Sequence, residues 1–587
     1  MAITVMEALS RTVQKYPTKP AMRYKSEGVW QSLTWQDYGQ TVRRVARGLC
    51  ALGLQDRAFV GILSYNCKEW VFADIGSIFS GAVPAGIYPT SSPDQCVYIL
   101  KHCGASCVFV EDAKQLAKVL AVRSQISTLQ FIILMKGKSA EKDVYTWNEI
   151  LLRGSEFSEA ELDKRIQKQS PKNLATLVYT SGTTAHPKAV MLSHDNLTWM
   201  SQTSVQFDLK LTSEDSLLSY LPLSHIAEQI TTVHGPIFLG ACIAFAENME
   251  TVPANLREIR PTLFLGVPRV WEKIHSKILE REAQIGPVKR RIAKWAKGVG
   301  MRYGEDFNKH STLSYRLAHK LVFAKVREAL GFDRCRFAAT AAAPIARETL
   351  EFFMGFGIPL YEIYGMSECT GPTTVSNPEY TKLGKTGACI KGGELKIAED
   401  GEILIRGRHV FMGYLHDEKA TKEVLDAEGW LHSGDIGNLD EDGFLAITGR
   451  KKNLIITAGG ENVAPEMLEN KLKCIPEVEQ AVVVGDRRKF LTALITLSPE
   501  ALHLVKKKEI ASPAKNQAEL LTCEKFHNYL QEQITAINGT VARVQTIKNF
   551  KILPQNFSEE SGELTPTLKV KRGVVLTKFA SEIEAMY

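Results

Sequence analysis

Short apolar, β-rich runs separated by helical patterns constrain this chain most. Between residue 37 and about residue 270 they recur at 58–63, 82–87, 107–111, 131–135, 175–179 and 242–245. Strands joined through helices lie parallel, because a parallel pair needs a long crossover whereas an antiparallel pair closes with a tight turn. The expected fold class is therefore α/β with more than one sheet. A length of 587 residues exceeds what a single core fills, so several packed units are expected.

After Gly392 the texture changes to short strands and turns, GELKIAEDGEILIRG and then GWLHSGDIGNLDEDGFLAITG. Hairpin-like turns at 399–401 and 440–443 fit a small β-rich subdomain. The stretch GRKKN at 449–453 marks a boundary, and beyond it the sequence alternates strand, helix, strand, strand before a helical segment at 513–540. The expected division is a large N-terminal domain at 1–451 and a small α+β C-terminal domain at 452–587.

Composition narrows the function classes. Hydrophobic content of 44% and charged content of 23% are those of a globular protein. A net charge of +7 without a zinc-finger or RNP-type motif gives no nucleic-acid signature. The eleven cysteines include no CxxC pair, which argues for a reducing, cytoplasmic compartment over a disulfide framework or zinc site.

The N-terminal 22 residues carry charge throughout and read as an ordinary amphipathic helix, not a signal peptide. The most apolar stretch, 70–88, contains Asp74, Pro84 and several glycines and reads as a buried helix entering a strand, so no transmembrane segment is expected. The basic segment 288–302 places Val288, Ile292, Trp295 and Val299 at helix spacing. Such a helix commonly packs its apolar stripe on the core, and alternatively it lies on an anionic membrane surface as a peripheral contact.

Four stretches carry candidate chemistry. YTSGTTAHPK at 179–188 follows a buried-strand pattern and offers the hydroxyls of Thr180, Ser181, Thr183 and Thr184, the pliant Gly182 and the ammonium of Lys188, which together suit a polyphosphate. In YEIYGMSECTGPTT at 361–374, Tyr364 can stack on a base and Glu368 can supply an oxygen ligand to Mg²⁺. GWLHSGD at 429–435 sets Asp435 after a glycine turn, where its carboxylate can accept from ribose hydroxyls, with Arg450 fifteen positions on. Lys569 sits in the basic tail ELTPTLKVKR. Each has a bland alternative as a surface turn or solvated charge. Gly384, Lys385 and Thr386 end like a Walker A loop, but Glu379 stands where that loop opens with glycine; no GxSxG or HExxH motif occurs.

In order along the chain, the phosphate loop, PLSHIAEQ, GVPRVWEK, YGMSE, GWLHSGD and GRKKNLIITAGGENVAPEMLE resemble those of the adenylate-forming enzymes, and the resemblance covers essentially the whole chain. Within that superfamily the chain is most similar to the bubblegum branch of long-chain acyl-CoA synthetases, through LSHDNLTW, FMGYL, ITAGGENV and GELTPTLKVKR. The resemblance implies ATP-dependent ligation of a long-chain fatty acid to CoA, through acyl-AMP and pyrophosphate, with ATP, Mg²⁺ and CoA taking part.

Carried over, Thr180, Ser181, Gly182, Thr183, Thr184 and Lys188 hold the β- and γ-phosphates, and Tyr364, Gly365 and Ser367 border the adenine and α-phosphate. Glu368, with Thr184, binds the metal; Asp435 and Arg450 hold the ribose. His225 lies beside the carboxylate, and Trp271 gates the acyl tunnel. Lys569 meets the α-phosphate during adenylation. The mobile C-terminal domain then pivots at Lys452 to bring Gly459 and Gly460 to the CoA thiol.

Three positions depart from the family pattern. Ala185, Ala189 and Ala341 stand where glycine is expected. A Cβ at a backbone that needs positive φ costs roughly 1–2 kcal/mol. An acyl-AMP ligase with another acceptor, or a weakened acyl- and nucleotide-binding pseudo-enzyme, are the alternative readings.

Overall fold

A computed structural model describes residues 2–180, 186–206, 211–305, 312–379, 381–508, 510, 514–565 and 569–587. Its largest sheet has seven strands in the order Val144–Thr146, Phe131–Leu134, Ala105–Val110, Phe59–Leu63, Val83–Ile87, Leu174–Thr180, Lys188–Ser193. All neighbours are parallel except the last pair, an antiparallel hairpin. The strands are apolar on both faces because helices cover both. Local signals set those helices: Pro93–Cys103 starts on a capping box of Ser92 with Gln95 and stops at Gly104, whose φ is 67°. The apolar stretch 70–88 becomes the buried helix Lys68–Phe79 and the strand Val83–Ile87.

A second sheet contains Leu263–Gly266, Phe337–Thr340 and Leu360–Met366 in parallel, continued antiparallel by Gly371–Val375 and Ala388–Cys389. The run Cys242–Phe245 joins neither large sheet. It pairs with Ser216–Ser219 and with the N-terminal hairpin Pro20–Ser26 and Val29–Thr34, which the sequence reading had missed.

The β-rich subdomain is a four-stranded antiparallel sheet of Glu394–Ile397, Glu402–Arg406, Leu431–Leu439 and Leu445–Arg450. Its tight turns close at Gly401 and Gly443, with φ of 85° and 78°. Past the short helical turn Lys451–Asn453, a separate hydrophobic cluster runs from Ile455 to Ile552 around the sheet Val478–Val484, Leu491–Leu497 and Ile547–Ile552.

The basic segment forms the helix Pro287–Glu305. Only part of its expected apolar stripe reaches the core. Val299 is buried beside Ala296, whereas Val288, Ile292 and Trp295 face water. Among the described residues no helix is long and apolar enough to cross a membrane.

Candidate active site

The carboxyl ends of the parallel strands, the β-rich subdomain and the C-terminal part enclose a cleft of about 2700 Å³. Ligands of open α/β sheets bind at this edge because strand ends deliver loops and helix N-termini to one place. The cleft brings together Thr180, Lys188, His225, Tyr364, Gly365, Ser367, Glu368, Asp435, Arg450, Lys452 and Lys569, residues up to 389 positions apart in the sequence.

Thr180 and Lys188 are cross-strand partners in the hairpin Leu174–Thr180 and Lys188–Ser193, so sheet pairing fixes both ends of the phosphate loop. Ser181, Gly182, Thr183 and Thr184, with Ala185, lie outside the described residues. The far shoulder of the loop is held by Tyr98, whose ring stacks on His186 at 4.5 Å and whose Oη donates to the Pro187 carbonyl at 3.2 Å. The Lys188 ammonium lies 4.9 Å from the Tyr414 ring centroid.

Asp435 and Arg450 face each other directly across antiparallel strands, which is what their fifteen-position separation means once the chain turns at Gly443. Arg450 Nε donates to Asp435 Oδ1 at 2.8 Å, and Tyr364 Oη donates to Asp435 Oδ2 at 2.9 Å. Each carboxylate oxygen keeps a lone pair for a further donor. Burial works against the Arg450 charge, but Asp435, Tyr364 and Glu368 together outweigh it and the guanidinium pKa is raised.

Gly365 cannot carry a side chain, since a Cβ there would lie 1.8 Å from the Gly371 carbonyl oxygen. That close approach folds the following turn, Ser367–Cys369, back into the cleft. Glu368 Oε1 accepts from Tyr414 Oη at 2.8 Å. Among the described residues no group of three His, Cys, Asp or Glu side chains could hold a metal.

His225 Nδ1 accepts from the Ala227 backbone N–H at 3.2 Å, which leaves Nε2 as the donor of a neutral ring. Burial, with Lys569 nearby, pushes its pKa down to about 3. Crowding by protein likewise lowers Lys569 to about 8; Arg450 adds to the effect while Asp435 and Glu368 oppose it. Lys569 nonetheless stays open to solvent through the cleft. A further link joins the two parts of the chain: Arg269, at the cleft wall, pairs with Glu479 on the strand Val478–Val484.

Several expected residues stand elsewhere. Trp271 does not border the cleft. It is fully buried, donates its indole N–H to the Ala339 carbonyl at 3.1 Å and packs on Phe264, Phe332 and Phe353 behind the cleft wall. Gly459 and Gly460 form an exposed turn between Ile455–Ile456 and Asn462–Val463, outside the cleft lining. Lys452, by contrast, lines the cleft two positions after Arg450 in the connecting turn, with its pKa lowered by burial and by Arg450.

The alanine departures are milder than expected. Ala189 sits in regular strand pairing with Tyr179, and neither it nor Ala341 has positive φ; the left-handed residue is Ala342, at 73°. Tyr414, Tyr98 and Glu362 were missed by the sequence reading. Burial raises Glu362, on the cleft wall, to about 7. Tyr414 lies within FMGYL, a phrase that carried resemblance but no chemistry on its own.

Comparison with known proteins agrees with this geometry. Residues 9–415 match the family model described as AMP-binding enzyme, and residues 452–587 match the AMP-binding enzyme C-terminal domain. The chain is 41% identical to long-chain-fatty-acid–CoA ligase ACSBG2 of Xenopus laevis, covering 100% of this chain and 84% of the relative. It is 40% identical to long-chain-fatty-acid–CoA ligase ACSBG1 of Homo sapiens, covering 100% and 85%. The fold matches the anthranilate CoA ligase AuaEII in complex with anthranoyl-AMP, at a TM-score of 0.75 and 18% identity over 100% of this chain and 98% of that one. It also matches ATP-bound MatB from Rhodopseudomonas palustris, at a TM-score of 0.72 and 20% identity over 98% and 99%. With the cleft, the two family models and the full-length similarity in agreement, the chain belongs to the AMP-binding, adenylate-forming enzyme family.

Proposed function

We propose that this protein is an ATP-dependent long-chain fatty acid:CoA ligase. Its first step forms acyl-AMP and pyrophosphate, and its second forms acyl-CoA and AMP. The observation that carries the reading is the joining, in one cleft, of the Tyr364–Asp435–Arg450 hydrogen-bonded set with Glu368 and Lys569, beside an apolar wall that includes Ile230, Leu263 and Phe337. Similarity to long-chain-fatty-acid–CoA ligases supports the substrate class.

In the first step a carboxylate oxygen attacks the α-phosphorus while the bond to the β-phosphate oxygen breaks. Two anions meet, so cations positioned in advance lower the barrier most. Lys569 would sit against the α-phosphate and Lys188, with Thr180, against the outer phosphates. The free lone pairs of Asp435 would take the ribose hydroxyls, leaving Arg450 as its brace. His225, neutral with Nε2 as donor, would hydrogen-bond the fatty carboxylate without adding a competing charge. In the second step the CoA sulfur attacks the acyl carbonyl carbon, AMP leaves, and the thiol proton is lost.

Glu368 suits a Mg²⁺ carried in by the nucleotide, because it brings a single carboxylate and magnesium keeps most of its coordination from phosphate and water. Such an ion would neutralise the developing phosphate charge. We take the chain to divide after residue 451. The Lys569 position then corresponds to the adenylating arrangement, and a pivot at Lys452 would exchange Lys569 for Gly459 and Gly460. The scattered cysteines support a cytoplasmic site of action.

The test is direct. Palmitate, ATP, Mg²⁺ and CoA should yield AMP and palmitoyl-CoA in equal amounts, and no product with any chain length from folded protein would refute the reading. Turnover without CoA would instead identify an enzyme with another acceptor. The weakened alternative draws little support from Ala189 and Ala341, whose backbones are unstrained.

A further inference from the structure

We propose that the paired helices Pro287–Glu305 and Leu313–Ala318, with the turn His319–Phe323 that continues the second, form a docking surface for an anionic lipid bilayer. The inference goes beyond the ligase reading and does not depend on its chemistry.

The two helices pack with the chain running in opposite senses. Tyr303 stacks on Tyr315 at 3.8 Å, while Ala296 and Val299, further back on the first helix, share a buried cluster with Ala318 and Phe323, further along the second. That contact uses small and aromatic side chains and leaves larger aliphatic ones outside. Val288, Ile292 and Trp295 on the first helix, and Leu313, Leu317 and Leu321 on the second segment, are between 38% and 84% exposed. Steps of four and three residues in the first set, and of four and four in the second, place each set on one stripe. A lone exposed leucine has no meaning, but two exposed apolar stripes on adjacent helices mark an interaction surface.

Charge chooses the partner. Residues 287–304 contain six Lys or Arg and no Asp or Glu, and residues 312–327 contain four with no acid. Lys297 turns inward to Glu282 at 2.6 Å, but Lys289, Arg291, Lys294 and Arg302 are exposed on the same helix as the apolar stripe. Basic residues flanking a tryptophan and aliphatic side chains match a bilayer, with its anionic headgroups above its acyl chains. A second copy of this chain fits worse, since two such basic faces repel each other. A nucleic acid would leave the leucines without a partner.

Position gives the surface a use. The preceding helix, Pro268–Gln284, lines the cleft at its first turn with Pro268, Arg269 and Val270 and ends where the basic helix begins. Its seventeen residues span roughly 25 Å, so a docked bilayer would lie about one helix length from the site of chemistry.

Flotation with phosphatidylcholine vesicles, with and without about 30% phosphatidylserine, tests the proposal on the full chain. The wild type should float with the anionic vesicles and not with the neutral ones, and about 0.5 M salt should release it. Ile292→Glu with Trp295→Glu, and separately Arg291→Glu with Lys294→Glu, should each weaken partitioning at least about tenfold. Pyrophosphate release from a soluble short-chain acid should stay unchanged. Should either double variant fail to fold, quenching by brominated lipid supplies the answer: Trp295→Phe should remove most of the quenching seen in the wild type. Absence of anionic-vesicle binding, or variants that float as the wild type does, would overturn the proposal. So would a dimer in solution that Trp295→Glu dissociates without any lipid binding, which would assign the surface to a second copy.

Discussion

The Asp435 side of the cleft and the Lys569 side are held in opposite ways. Asp435 is 5% exposed and tied to Tyr364 and Arg450, and sheet register sets its pairing with Arg450 before any ligand arrives. Lys569 lies in the C-terminal part, open to solvent, and among the described residues its ammonium makes no ion pair. Under the proposed two-step reaction, the contrast would separate a site that waits from a group that is delivered. A nucleotide kept through two reactions needs the first kind of residue. A cation wanted in only one of them is better on a part that can leave.

Predictions follow the contrast in order of size. Lys569→Ala should lower pyrophosphate release by about 10³-fold while thioester formation from preformed acyl-AMP stays within a few-fold of wild type. Asp435→Ala should cost about 10²-fold in both half-reactions, because it removes the ribose acceptor and leaves Arg450 and Tyr364 unpaired. Equal losses for the two variants in both assays would erase the distinction.

The next effect is one of pH. Lys569 has its pKa lowered to about 8 by burial, so the protonated form that the proposed adenylation step would use is lost as pH rises through that value. Above it, kcat/KM for ATP in pyrophosphate release should fall by up to tenfold per pH unit, and the acyl-AMP to thioester step should not follow the same curve. The smallest effect belongs to the contact between the two parts. Glu479→Gln breaks the pair with Arg269 and should slow adenylation about threefold without slowing the thioester step, as suits a partly exposed ion pair.

What the sequence made legible was local. The strand before the phosphate loop, the turn at Ser367 and the hairpin that sets Arg450 against Asp435 each carry their own turn residues and pattern, so their geometry follows from a few neighbours. Contacts made at a distance were hidden. Trp271 has a spacing equally suited to cleft or core, and only the packing of Phe332 and Phe353 around it decides for the core. Tyr414 reaches Glu368 from 46 positions away. The hairpin 20–34 finds its partner strand beyond residue 240, and its burial pattern alternates too weakly to announce a strand. Whether Ala185, Ala189 or Ala341 needs positive φ was not legible in the motif, and the left-handed backbone falls at Ala342, one residue after Ala341.

The most direct test of a two-step reaction in one cleft is a single-turnover measurement of pyrophosphate with ATP, Mg²⁺ and palmitate but no CoA. A burst of about one equivalent per enzyme should appear and stop, with acyl-AMP retained until added CoA converts it to acyl-CoA and AMP. Pyrophosphate that appears only once CoA is present, or that continues past one equivalent without it, would contradict the account.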